Sequence, residues 1–99
     1  MPNALVSVQI LPKTPNGESV IPYVDKAISI IDQAGVQYRV GPLETTMEGE
    51  LHQLLDLVAK INKEMTKSGC PQVISQVKIL YNPEGVSMGE LTKKYDELA

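Results

Sequence analysis

The chain has 99 residues, 42% apolar and 21% charged, with a net charge of −3. That suits one compact domain over residues 1–99, with the mixture of a globular rather than a disordered chain. The negative balance argues against a nucleic-acid partner held by a basic surface, the lack of Trp and Phe removes stacking platforms for single strands, and no stretch approaches the roughly 18 apolar residues of a membrane span.

The predicted elements follow in chain order. Ala4 to Ile10 alternates, with Ala4, Val6, Val8 and Ile10 on one face and Leu5, Ser7 and Gln9 on the other, which predicts a first strand. Leu11 to Glu18 contains Pro12, Pro15, Asn16 and Gly17 and reads as a loop. Ser19 is placed to cap a helix with Pro22 in its first turn and Val20, Val24, Ala27, Ile28 and Ile31 at helical spacing; Gly35 is its stop. Val36 to Val40 and Leu43 to Met47 read as a strand pair joined at Gly41-Pro42. A second helix from about Gly49 to Lys67 carries a stripe of Leu51, Leu54, Leu55, Val58, Ile61 and Met65, ended by Ser68-Gly69. Gln72 to Tyr81 is a fourth strand, Asn82 to Gly85 a turn, and Ser87 to Glu90 has capping-box spacing for a short helix through Leu91, Tyr95 and Leu98.

The order strand, helix, strand, strand, helix, strand is the split βαβ pattern of a ferredoxin-like α+β sandwich. Right-handed crossovers put both main helices on one face of a four-stranded antiparallel sheet, with the first and third strands central. The opposite face, with Leu5, Ile74 and Leu80, then has no cover from the chain, and the fourth strand is an edge. Both features predict a homo-oligomer, a homodimer or homotetramer.

Thr45 to Glu50 gathers two hydroxyls and two carboxylates where the third strand meets the second helix. If Leu43, Thr45 and Met47 face the helices, then Glu44, Thr46 and Glu48 face the open side, together with Ser7 and Gln9 of the neighbouring strand. That predicts a polar pocket floor finished by a second subunit. Acids in the first turn of a helix also complement its dipole without any ligand, which explains Glu48 or Glu50 taken singly. Tyr38 offers a stacking face and a hydroxyl, or a half-buried structural ring. His52 is the sole histidine, four residues after Glu48, with no further ligands to suggest a metal, and reads as solvated. Cys70 cannot form an internal disulfide and has no activating neighbour, so it reads as a structural thiol; with no signal-peptide pattern at the N-terminus, the expected location is the cytoplasm. There is no phosphate loop and no serine elbow, so no catalytic residue is expected.

Val6-Ser7-Val8-Gln9-Ile10-Leu11-Pro12, then Ser19 with Tyr23-Val24, then Tyr38, then Gly41-Pro42-Leu43 running into Thr45-Thr46-Met47-Glu48-Gly49-Glu50 resembles the small thiamine-binding protein family. The resemblance spans nearly the whole chain. It implies a ferredoxin-like fold assembled as dimers or tetramers, and non-enzymatic binding of thiamine or its hydroxymethylpyrimidine moiety as a ligand rather than a cofactor. It implies ligand-binding roles for Thr45, Thr46 and Glu48, with Tyr38 as a wall and Ser7 reaching in from the adjacent strand; Gln9 joins them by its position on that strand. A permanent cation suits an acidic pocket, and an aminopyrimidine offers donors and acceptors to a carboxylate and hydroxyls. The alternative is a structural or regulatory interaction module with no dedicated ligand.

Overall fold

Ala4–Lys13 forms β1, and its alternation decides which side of the sheet is buried. The computed structural model describes residues 2–96. After β1 come α1 (Ile21–Gln33), β2 (Gln37–Val40), β3 (Thr45–Gly49), α2 (Leu51–Lys67), β4 (Gln72–Tyr81) and α3 (Met88–Asp96). The strands order as β2-β3-β1-β4, all antiparallel, so β1 and β3 are central. This is the ferredoxin-like α+β fold.

Ala4, Val6 and Val8 of β1, Met47 of β3, Ala27 and Ile31 of α1, and Leu54, Leu57, Ile61 and Met65 of α2 form one buried cluster. Both main helices therefore cover the same side of the sheet. The α2 stripe includes Leu57, which the predicted stripe passed over, while Leu55 is only half-buried. Each large aliphatic side chain buried this way contributes roughly 1.5–3 kcal/mol. Cys70 is a free thiol buried in the same cluster.

Several element ends differ from the sequence expectation. β1 runs on through Pro12 to Lys13, pairing with Gln72 of β4. Beyond Val8 it has lost its β3 neighbour, and a proline is tolerated in a strand paired on one side only. The helix α1 starts at Ile21, and Ser19 Oγ accepts a bond from the Ile21 N–H at 3.2 Å. Gly35 follows the last helical residues with φ +75°, the left-handed stop that a glycine accommodates. β3 begins two residues later than predicted, at Thr45. Residues Gly41 to Glu44 instead form the connection, closed by the Gly41 N–H donating to Glu44 O at 2.9 Å.

The open face of the sheet is also less bare than its sequence implies. After β4 the chain keeps pairing with the segment before β1, through Asn82 N–H to Asn3 O and Val86 N–H to Pro2 O, each 2.9 Å. This returns it beneath the sheet, where Val86 and Met88 bury Leu5 in a second small cluster. Ile74 and Leu80 remain 56% and 45% exposed on that face. Ser87 Oγ accepts from the Glu90 N–H at a long 3.5 Å, as the capping spacing predicts, while Leu98 lies outside the described residues.

Ile61 sits at the centre of the helix-side core with no exposed surface. Ile61→Ala is expected to lower the unfolding free energy by about 2–5 kcal/mol in urea denaturation. Leu91→Ala, at a side chain 55% exposed on α3, should stay within about 0.5 kcal/mol of wild type.

Candidate functional site

The strand period of two divides the corner from Thr45 to Glu50 between the two sides of the sheet. Thr45 and Met47 are buried toward the helices. Thr46 lies opposite Ser7, and Glu48 opposite Leu5, on the other face. There the Thr46 hydroxyl donates to Ser7 Oγ at 3.3 Å. Gln9 continues this face along β1. Arg39 faces the same way from β2, opposite Thr46, and Lys78 from β4, opposite Ser7.

Glu48 lies on β3, not in the first turn of a helix. Its Oε1 accepts the Met88 N–H at 2.7 Å, so the carboxylate holds the first residue of α3 against the sheet. Arg39 fastens the rest of that helix. Its Nη1 donates to Thr92 Oγ1 at 3.1 Å and its Nη2 lies 3.8 Å from Asp96 Oδ2. Glu48 and the exposed His52 of α2 share no helix face. Glu50 is the cap of α2, its Oε2 accepting from the Gln53 N–H at 3.0 Å. That hydrogen bond holds the Glu50 carboxyl below its ordinary range, although partial desolvation opposes the shift.

Tyr38 does not join the open-face set. It pairs with Met47 across the β2–β3 ladder and packs on the helix-side core. Its hydroxyl donates to Asp32 Oδ1 of α1 at 2.9 Å, and this bond raises its pKa. Tyr23 makes the same kind of bond to Glu18 Oε2 at 2.6 Å and is pushed up to about 12. Thus Ser7, Gln9, Thr46 and Glu48 lie on the open side, while Tyr38 and Thr45 lie on the helix side. One pocket wall made of all six is ruled out by the alternation of the strands.

The helix side holds a cleft that the sequence did not announce. It has a volume of about 280 Å³ and lies between α1, the middle of β1 and the Gly41–Glu44 connection. Val20, just before α1, and Val24 and Ile28 of α1 form one wall, Leu43 another, and Thr45 and Gln9 contribute to the lining. Glu44 is the one charged residue among the described residues that line it. The signals available in the sequence were the apolar excess on the first turns of α1 and the Gly-Pro connection, both of which also suit an ordinary core. A shallower groove lies on the other side of the same connection, lined by Arg39, Leu43, Glu44 and Thr46. No cluster of three potential metal ligands occurs among the described residues.

Comparisons with known proteins bear on this geometry. A family model described as thiamine-binding protein matches residues 6–97. A Clostridium perfringens protein of the UPF0045 group is 44% identical over 90 residues, covering 91% of this chain and 94% of that protein. A Bacillus cereus structure described as a domain of unknown function, DUF77, superposes with a TM-score of 0.88 at 40% identity, covering 99% of this chain and 96% of that one. A Thermotoga maritima structure described as a candidate thiamine biosynthesis/salvage protein superposes with a TM-score of 0.85 at 30% identity, covering 95% and 99%.

Two tests probe the corner. Glu48→Ala should loosen the start of α3, speeding amide exchange at Met88 about tenfold or more, because a part-buried N–H loses its acceptor. For Glu50 the folded pKa is below its ordinary 4.5, so its stabilisation is fully present above that value and is lost as pH falls through the lower folded one. Wild type should therefore be more stable than Glu50→Gln at neutral pH, with the gap between urea midpoints narrowing as the pH falls below 4.5.

Proposed function

Because this chain belongs to the thiamine-binding protein family, we propose that it binds thiamine or its hydroxymethylpyrimidine moiety, without turnover, in the cleft beside α1. The observation that carries this reading is the cleft itself. At about 280 Å³ it lies just below the roughly 300–1,000 Å³ usual for small-molecule pockets, a size for a compact heterocycle. Its aliphatic walls suit the faces of a flat ring. The Thr45 hydroxyl supplies a donor and an acceptor of the kind that fixes a ring's orientation.

A second reading rests on the hydroxyl pair of Ser7 and Thr46. On that reading the ligand lies on the open face, over Ser7, Gln9 and Thr46, and a second subunit completes the pocket. Self-association itself has support on either reading. Among the described residues the outer edge of β4 has no strand beside it, and Ile74, Val77, Ile79, Leu80 and Tyr81 are 37–56% exposed along it. A long apolar edge is what a second copy of the chain would cover.

Adjacent residues on opposite faces separate the two readings. In calorimetric titration with thiamine, Thr45→Val should weaken binding about three- to tenfold, the worth of one hydrogen bond, while Thr46→Val should change little. The reverse order would move the site to the open face. No heat and no thermal shift with millimolar-range thiamine would reject ligand binding on both readings.

A further inference from the structure

We propose that the cleft admits an uncharged ring and excludes a charged one, so that it holds thiamine by the pyrimidine and leaves the thiazolium in water. The proposal rests on the cleft reading above and adds to it which half of the ligand enters and what the cleft reads.

Among the described residues, the side chains that meet in the cleft are uncharged. Val24, Ile28 and Ile31 come from α1, and Ile10 from the helix side of β1. Val40 stands opposite Thr45 across the β2–β3 ladder, so both face the helices. Thr45 is buried and adds a hydroxyl, which donates and accepts but carries no charge. The other polar residues of the lining turn away. Gln9 lies on the open face by the alternation of β1. The Glu44 carboxylate is 3.2 Å from Lys78 Nζ, and Lys78 stands opposite Ser7 on that same open face.

The start of α1 adds no charge preference of its own. A helix N-terminus attracts anions through its free N–H groups, and here they are taken. The Ile21 N–H donates to Ser19 Oγ at 3.2 Å, Pro22 has no N–H, and the Tyr23 and Val24 N–H groups both donate to Val20 O at 3.0 Å. Lys26, the one cation of α1, is turned to α2, with its Nζ 3.3 Å from Glu64 Oε1.

A ring cation in this space would lose its water and meet no opposite charge. That cost exceeds what contact with aliphatic walls returns. An uncharged pyrimidine meets the same walls without it, and the Thr45 hydroxyl can serve a ring nitrogen or amino group. A volume of about 280 Å³ suits one ring rather than two. The carbon that joins the two rings of thiamine then stands at the mouth, among the exposed Val20, Val40 and Leu43. Charge beyond that carbon stays hydrated and adds little to binding.

Calorimetry on the intact chain tests this with hydroxymethylpyrimidine, thiamine, the thiazolium half alone, and hydroxymethylpyrimidine methylated on a ring nitrogen to fix a charge there. Hydroxymethylpyrimidine and thiamine should agree within about threefold, at low and at high salt alike. The thiazolium half should give no heat. The ring-methylated cation should bind roughly a hundredfold more weakly than its uncharged parent, while an uncharged pyrimidine with one extra carbon-bound methyl should lose less than about tenfold. Val24→Asp puts a carboxylate on the cleft wall and should narrow the gap between charged and uncharged rings about tenfold; Glu44→Gln should leave that gap unchanged. The wild-type series decides the matter even where Val24→Asp does not fold. Binding of the thiazolium half, thiamine held more than about tenfold tighter than hydroxymethylpyrimidine, or equal affinity for charged and uncharged rings overturns the proposal while ligand binding stands. A wild-type chain that binds none of these compounds, or that loses affinity through Thr46→Val and not Thr45→Val, overturns the cleft reading, and this proposal with it.

Discussion

The double pairing of β1 is the constraint on which the rest of the structure depends. Val6 is matched to Met47 on one side and to Ile79 on the other, and Ser7 to Thr46 and Lys78. With both neighbours in register, a slip of one residue would turn every buried valine to the open face. The hydrophobic set Ala4, Val6 and Val8 prevents that slip, because it fills the core under α1 and α2. The same register sends Ser7 and Gln9 to the opposite side. The chemistry of each face is thus a consequence of core packing, and the positions of polar groups follow from where apolar ones must go.

α3 depends on that register in turn. It has a small apolar contact of its own, made by Leu5, Val86 and Met88. One such cluster is a modest anchor for a nine-residue helix. Two polar ties assist it, Glu48 to the Met88 N–H and Arg39 to Thr92 and Asp96. Both tying side chains come from the open face of β2 and β3. Glu48, which the sequence offered both as a ligand group and as a first-turn acid, thus also docks a helix by accepting a backbone N–H. This leaves the open face split, with one part covered by α3 and another, around Ile74 and Leu80, still exposed.

Much of the fold was legible because period is a strong signal. The alternation of β1 and β4 and the stripe of α2 gave the elements, their order and the ferredoxin-like topology, and the parity of Thr45 and Thr46 followed once β3 was placed. The family resemblance likewise pointed to the group that the family match and the relatives show. What escaped was tertiary. Leu11 to Lys13 reads as loop by composition, yet β4 is long enough to pair with it, and pairing overrides the local preference of Pro12. Covering Leu5 required knowing that the chain turns back under the sheet after Asn82. The partner of Glu48 is a backbone N–H forty residues away, which no local pattern reveals. The cleft is a gap between elements, and a sequence lists what fills space rather than what leaves it empty.

The Gly41–Glu44 connection shows how a local backbone detail shapes such a gap. A Cβ at position 41 would sit 2.9 Å from Glu44 O, closer than real side chains come to a backbone oxygen. That oxygen is the acceptor for the Gly41 N–H, so glycine permits the close approach that ends β2 and starts β3. Pro42 follows with no N–H to satisfy, and Leu43 is left 76% exposed at the edge of the cleft. Starting β3 at Thr45 rather than two residues earlier therefore does two things at once. It sets Thr45 on the helix side, in the lining, and it frees four residues to stand as a wall between the cleft and the open face. The wall carries a carboxylate at its C-terminal end because Glu44 is its last residue, placed where the strand ladder begins and the helix-side space closes.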